Sequence, residues 1–190
     1  METLAIKLAD KIISRSPHRK EQLPVLTYGI TIILESGLYI LCGLGIATLM
    51  GMLKEFLFFF LIFKALRSYA GGLHLKKFKD CLLFSNLMVM IVLFLSKNYY
   101  LNNHLAILLC IVLLAYVFLN GPIEHPNAPF SDVQKYKLRT RLLYISLIIL
   151  FLSFALYALK ITNYLTITVY TLLVVVFGMI IEKSHLQNRE

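Results

Sequence analysis

The chain has 190 residues, of which 59% are hydrophobic and 15% charged, with a net charge of +9 and a mean hydropathy of +0.77. Soluble domains carry about 25% charged and about 45–50% apolar residues, so an ordinary soluble globule is excluded, and a disordered chain with it. Three cysteines, an odd number, without CxxC or Cys/His metal spacing, exclude a disulfide framework; the basic balance of so apolar a chain points to loops held on one side of a membrane, not to nucleic acid.

Residues 1–24 are predicted to form an amphipathic helix and a linker. Leu4, Ala5, Leu8, Ala9, Ile12 and Ile13 recur at helical spacing. Glu2, Lys7, Asp10, Lys11 and Arg15 interrupt them, which a cleavable signal peptide does not allow. Such a helix lies on the cytoplasmic membrane surface with its basic residues near anionic headgroups, or packs on the rest of the protein; both placements fit.

From residue 25 to 190 the pattern predicts one transmembrane core, all-α, with six spans in three hairpins. A span needs about 17–25 mostly apolar residues. Residues 25–63 are long enough for two, and a turn between Gly43 and Gly51 is favoured over the polar Lys54-Glu55 pair, which would leave a very short second span. Residues 81–96 and 105–119 form the next pair, separated by a polar stretch with Tyr99 and Tyr100, which suit the membrane interface. Residues 142–159 and 164–181 form the last, joined by residues 160–163. On this layout 16 Lys/Arg fall on one side and three, Lys54, Lys97 and Lys160, on the other. Cytoplasmic loops carry such an excess, so both termini and the two long loops are expected in the cytoplasm of a multi-pass cell-membrane protein.

The two long loops differ. Residues 67–80 are basic and hold a Gly71-Gly72 pair; residues 120–141 are punctuated by Pro122, Pro126 and Pro129 and should start irregular. Ser131 with Gln134 reads as a capping box that starts the helix leading into the fifth span.

Within the basic loop, His74 and Cys81 are the pair to weigh. A cysteine protease needs a thiolate nucleophile and an imidazole that protonates the leaving amine. Cys81 stands where the third span begins, after Lys76, Lys77 and Lys79, and a helix N-terminus with nearby cations favours the thiolate. On these residues alone, a packing cysteine and a solvated loop histidine fit somewhat better. Seven residues on a straight helix rise about 10.5 Å, so a working dyad requires the backbone to bend between them, for which Gly71-Gly72 supplies freedom.

Other candidates are weaker. Glu35, inside the first span, is an intramembrane ionisable residue of the kind that marks function; it could pair with Lys64 or Arg67, orient His74, or neutralise a neighbour. Glu124 and His125 either line a substrate path or are ordinary loop residues. Cys42 and Cys110 lie in apolar runs and read as packing groups. A zinc site from His74, Cys81 and His125 matches no usual ligand spacing, so neither metal nor cofactor is expected.

The segment 66–74, Leu-Arg-Ser-Tyr-Ala-Gly-Gly-Leu-His, followed by Cys81 seven residues on, resembles the signature of the AgrB (accessory gene regulator B) family of membrane cysteine endopeptidases from Gram-positive bacteria. The amphipathic start, Glu35 and the proline loop 121–129 resemble it too. The resemblance implies His74 as catalytic histidine and Cys81 as nucleophile, with Arg67 and Gly72 matching supporting signature positions. Leu73 departs from the aromatic often found before the histidine, and residues 75–80 are unusually basic. The implied substrate is an AgrD-type quorum-sensing precursor with an amphipathic leader, a signal sequence and an acidic tail. Removal of the tail and cyclisation of the signal would pass through a thioester on Cys81. The expected partners are that peptide, membrane lipid and a second copy of the chain, with no nucleic acid. The competing expectation is a small transporter or a structural membrane protein, which a short neighbouring reading frame with an acidic end would exclude.

Overall fold

Long apolar runs with the termini marked by glycine, proline and asparagine fold as helices throughout the computed structural model, which describes residues 2–14, 23–71, 78–124 and 130–187. Seven helices follow in order: α1 (Glu2–Ile13), α2 (Leu23–Met50), α3 (Leu53–Ala70), α4 (Phe78–Asn98), α5 (Asn103–Asn120), α6 (Asp132–Ala158) and α7 (Thr162–Gln187), with no strand among the described residues. Five of them, α2 and α4 to α7, are long and apolar enough to cross a membrane. The remaining long helix, α3, carries Lys54 and Glu55 at one end and Lys64 and Arg67 toward the other.

Helix α1 buries Ala5, Ala9 and Ile13 while Leu4, Leu8 and Ile12 stay exposed, and it packs against α2. The helix therefore sets a small-residue stripe on the protein and leaves a larger apolar stripe facing away from it.

The first turn lies at Gly51-Met52, the last position of the expected interval. Gly51 adopts a left-handed φ of 69°, and Met52 N–H donates to Ala47 O at 2.8 Å. Gly43 and Gly45 remain inside α2. Gly43 serves close packing instead: a Cβ there would lie 2.6 Å from the ring of Phe56, itself fully buried between α2 and α4 residues. Gly43→Val is expected to cost about 1–3 kcal/mol through overpacking, a drop of roughly 2–10 °C in the thermal midpoint of the detergent-solubilised protein. An unchanged midpoint would mean that Phe56 has room to move.

Helix α3 is longer than its apolar run. It continues past Phe63 to Ala70, so Arg67 stands in its last turn and not in a loop. At the other side of the gap, α4 already contains Phe78, Lys79, Asp80 and Cys81. The expected loop of residues 67–80 shrinks accordingly. The helix α6 starts as expected, with Gln134 N–H donating to Ser131 Oγ at 3.3 Å and Ser131 N–H to Gln134 Oε1 at 3.1 Å.

Helix α7 is the centre of the bundle. It packs on α3, α4, α5 and α6 and buries residues all round, from Leu165 to Glu182, as a core helix does. Contacts tie the two ends of the bundle separately. At one end Lys97 Nζ donates to Met50 O at 3.1 Å, Tyr157 Oη meets His104 Nδ1 at 2.9 Å, and Asn163 Nδ2 donates to Glu55 Oε1 at 3.4 Å. This end gathers all three cations, Lys54, Lys97 and Lys160, that the charge pattern set apart. At the other end Ile123 N–H donates to Ala70 O at 3.1 Å, Lys183 Nζ to Asn120 Oδ1 at 3.2 Å, and Arg141 lies 6.0 Å over the Tyr69 ring. Gly121 supports this docking, since a Cβ there would lie 2.7 Å from Leu142 and 2.8 Å from Val117 O.

Candidate active site

The last turn of α3 and the first turn of α4 meet at the basic end of the bundle, and a cavity opens there. Its lining follows helical periodicity on each element. Helix α3 supplies Phe59, Phe63 and Arg67, four residues apart; α4 supplies Cys81, Phe84, Ser85 and Met88; α7 supplies Val174 and Gly178; and α2 adds Tyr39. Phe59 and Phe63 stack with centroids 5.5 Å apart. The cavity lining is mostly apolar, with Tyr39 and Ser85 among its polar residues and Arg67 and Cys81 toward the helix ends.

Cys81 is half-buried, in the first turn of α4, where unpaired backbone N–H groups favour an anion. Arg67 is half-buried and lies within electrostatic reach of Cys81, Glu182 and Tyr39. A cation facing a sulfur across an apolar cavity has stronger influence than in water, because the low-polarity surroundings screen it less. The arrangement therefore sets the Cys81 sulfur and the Arg67 guanidinium on one mostly apolar recess.

The remaining predicted site residues separate into three groups. His74 and Gly72, with His125, lie outside the described residues. Glu35 is half-buried on α2, one turn from Tyr39, and does not line the cavity. Glu124 forms an ion pair with Lys135 at 2.5 Å, which ties the start of the proline loop to α6. Cys110 is buried in the core between α5 and its neighbours, and Cys42 is half-buried on α2 away from the cavity, so both have packing positions. Among the described residues no group of His, Cys, Asp and Glu is arranged to hold a metal.

Two further residues near this end of the bundle were not singled out from the sequence. Glu182 on α7 is only 8% exposed and acts electrostatically on Arg67. Tyr39 lines the cavity from α2. A signal for Glu182 existed: it is an acidic residue at the end of an otherwise apolar span, four residues after Gly178 and hence on the same helix face.

A family model for Accessory gene regulator B matches residues 5–181. The chain belongs to the AgrB family. Curated relatives agree. A Listeria monocytogenes serotype 4a protein named "Putative AgrB-like protein" is 28% identical over 149 residues, 77% of this chain and 73% of its own length. A protein of Clostridium perfringens strain 13, named AgrB-like protein 2 with the same qualifier, is 24% identical over 144 residues, 72% and 67% of the two chains. A Listeria innocua relative is 28% identical over 136 residues, covering 70% and 67%. No solved structure matches the fold. Membership ties this AgrB chain to the agr quorum-sensing system, and its apolar helices to a multi-pass membrane protein.

Proposed function

We propose that this AgrB chain is a membrane-embedded cysteine endopeptidase that removes the C-terminal tail of an AgrD-type precursor and cyclises the signal segment. The observation that carries the reading is the placement of Cys81, in the first turn of α4, in a cavity it shares with Arg67. The Cys81 thiolate attacks the carbonyl carbon before the tail. The carbon–nitrogen bond breaks, and the leaving amine takes a proton from the His74 imidazolium. The signal segment stays as a thioester on Cys81. An internal Cys or Ser of the peptide, giving its proton to His74, then attacks that carbonyl, and the Cys81 thiolate leaves as the ring closes. The apolar recess limits water, so transfer to the internal nucleophile competes with hydrolysis.

The supporting residues take roles set by position. Arg67 receives an acidic part of the tail or holds the loop that follows α3. Gly72 permits the turn toward His74, Glu35 supports the site from α2, and Glu124 holds the proline loop through Lys135. The basic end of the bundle suits an acidic tail electrostatically. In this reading α3 is the second of six spans, its charged ends at the two interfaces, residues 25–190 form one transmembrane peptidase core, and residues 1–24 supply a cytoplasmic surface helix.

A transporter is the competing reading, and four of the six buried hydroxyls among the described residues speak against it. Transport paths need polar groups free to meet a solute at mid-depth. Ser96, Ser153, Thr168 and Thr171 instead donate to carbonyls one turn back in their own helices.

Purified protein in liposomes with a tagged precursor tests the activity: release of the tail is expected, and its absence would contradict the reading. Topology is tested in intact cells by labelling single introduced cysteines. Positions near Asn98 and Asn163 are expected to label from outside, and positions near Lys76 and Asp132 to stay protected. External labelling of the second pair would invert the orientation.

A further inference from the structure

Serine and threonine inside apolar helices commonly spend their hydroxyl on their own backbone, donating to the carbonyl one turn back. This chain does so at Thr48 on α2, Ser96 on α4, Ser153 on α6, and Thr168 and Thr171 on α7, which donate to Leu44 O, Val92 O, Ile149 O, Tyr164 O and Ile167 O. Ser85 on α4 departs from the pattern. Among the described residues it makes no such bond, and its half-buried side chain lines the Cys81 cavity instead. Ser85 stands four residues after Cys81, and both line that cavity, so the two are neighbours on one helix face with Cβ atoms about 5–6 Å apart. Helical side chains lean toward the N-terminus of their helix, and Cys81 lies on that side of Ser85, in the first turns of α4. The Ser85 hydroxyl therefore leans over the turn that carries the sulfur, in a cavity whose other walls include the apolar Phe63, Met88 and Val174.

We propose that Ser85 is a further catalytic residue, whose Oγ–H donates to the carbonyl oxygen of the peptide bond that Cys81 attacks. This assignment rests on the peptidase reading and supplies it with a donor for the charge that develops during the reaction. When the thiolate adds to the carbonyl carbon, the π pair moves onto the oxygen. Ser85 keeps its proton and stabilises that oxyanion through the hydrogen bond. The pair returns to re-form the carbonyl as the carbon–nitrogen bond breaks. The same oxygen carries the charge again when the internal nucleophile attacks the thioester, so one hydroxyl serves both tail release and ring closure. In apolar surroundings such a donor counts for more than in water, where solvent competes for the oxygen. Tyr39 brings another hydroxyl to the cavity. It comes from α2, with its ring 6.2 Å from that of Phe60, whereas Ser85 is fixed relative to Cys81 by the backbone of a single helix.

The experiment follows a tagged precursor in liposomes with full-length Ser85→Ala, Ser85→Thr and Tyr39→Phe. Ser85→Ala is expected to lower kcat for tail release by about 100-fold. KM should stay close to the parent value, because the hydrogen bond strengthens only as the oxyanion forms. Ser85→Thr keeps a hydroxyl at the position and should recover part of the loss, and Tyr39→Phe should cleave near the parent rate. Two further readouts separate action on the carbonyl from action on the thiol or on packing. Iodoacetamide alkylation of Cys81, in protein carrying Cys42→Ala and Cys110→Ala, should run at the parent rate in Ser85→Ala, because Ser85 acts on the substrate and not on the sulfur. The infrared carbonyl stretch of the acyl-enzyme is read with a precursor that lacks its internal nucleophile and is isotope-labelled at the thioester carbonyl. It should lie at higher frequency in Ser85→Ala than in the parent, since a donated hydrogen bond weakens the carbon–oxygen bond.

Tail release by Ser85→Ala at the parent rate, or an unchanged carbonyl frequency, would overturn the proposal. So would alkylation that slows in step with cleavage, which would make Ser85 a partner of the thiol. Equal losses in Ser85→Ala and Ser85→Thr together with a lowered thermal midpoint would make it a packing residue. A loss in Tyr39→Phe with none in Ser85→Ala would move the role to α2. Tail release by the parent protein is scored separately. A parent that cleaves, with Ser85→Ala equally fast, removes the Ser85 role alone. A parent that does not cleave removes the reading beneath it.

Discussion

Cys81→Ser and His74→Ala are each expected to lower tail release by about 1,000-fold or more, while membrane insertion and thermal midpoint stay close to the parent values. The size follows from how nucleophile and base work as a unit: without the thiolate no acyl-enzyme forms, and without the imidazole the amine leaves unprotonated. Serine at position 81 keeps the shape but not the nucleophilicity, because an alcohol is far harder to ionise than a thiol. Cys42→Ala and Cys110→Ala should cleave nearly normally, since those thiols sit in packed positions away from the cavity. Cys81→Ala should still bind the precursor, because binding rests on the basic end of the bundle and the membrane surface. Gel analysis of a tagged precursor in liposomes checks all five variants. Full cleavage by Cys81→Ala would remove the thiol mechanism.

Gly71→Ala is expected to reduce tail release by about 100-fold with insertion preserved. Gly71 has φ 80° and ψ −165°, a region that only glycine occupies readily, at a cost of roughly 1–3 kcal/mol for other residues. An added Cβ would also lie 3.3 Å from Ile123 Cβ and Ile123 O. Ile123 N–H donates to Ala70 O at 3.1 Å, so the proline loop is fastened to the end of α3 at this point. Gly71 directs the chain from Arg67 toward the segment that carries His74. Relief of the strain displaces one partner of the site relative to the other, and a displacement of about 1 Å costs on the order of 100-fold in rate. Cleavage by Gly71→Ala near the parent rate would show that the exit angle from α3 is not critical.

Much of this was legible in the residues because membrane spans are written in long apolar runs. The helices α4 and α5 fall within a few residues of the runs that announce them, α7 runs six residues beyond its own, and α6 begins ten residues before its run, at a start that Ser131 and Gln134 mark by a local capping pattern. Cys81 at the start of a helix was legible for the same reason. The path of α3 was not. Hydropathy falls at Lys64 and Arg67, yet the helix continues because its far turns bury Leu66 and Ala70 while Lys64 and Ser68 face outward. Backbone periodicity persists where hydropathy has stopped. The turn before α3 was hidden in a run with three glycines, of which only Gly51 takes a left-handed backbone. Glu182 lies 115 positions from Arg67 in the chain, so its position near the Arg67 end of α3 follows only from the packing of α7 on α3. The pairing of His74 with Cys81 rests on the chemistry of the residue types and on the family, since His74 lies outside the described residues.

The central claim is that the signal segment is held as a thioester on Cys81 before the ring closes. The most direct measurement is intact-protein mass spectrometry of the enzyme after brief mixing with a precursor whose internal nucleophile has been replaced by alanine, so that the acyl-enzyme accumulates. The account predicts an added mass equal to the precursor without its tail, located on Cys81, released by neutral hydroxylamine and absent in Cys81→Ser. Tail release with no adduct on Cys81, or an adduct on another residue that hydroxylamine leaves intact, would contradict it.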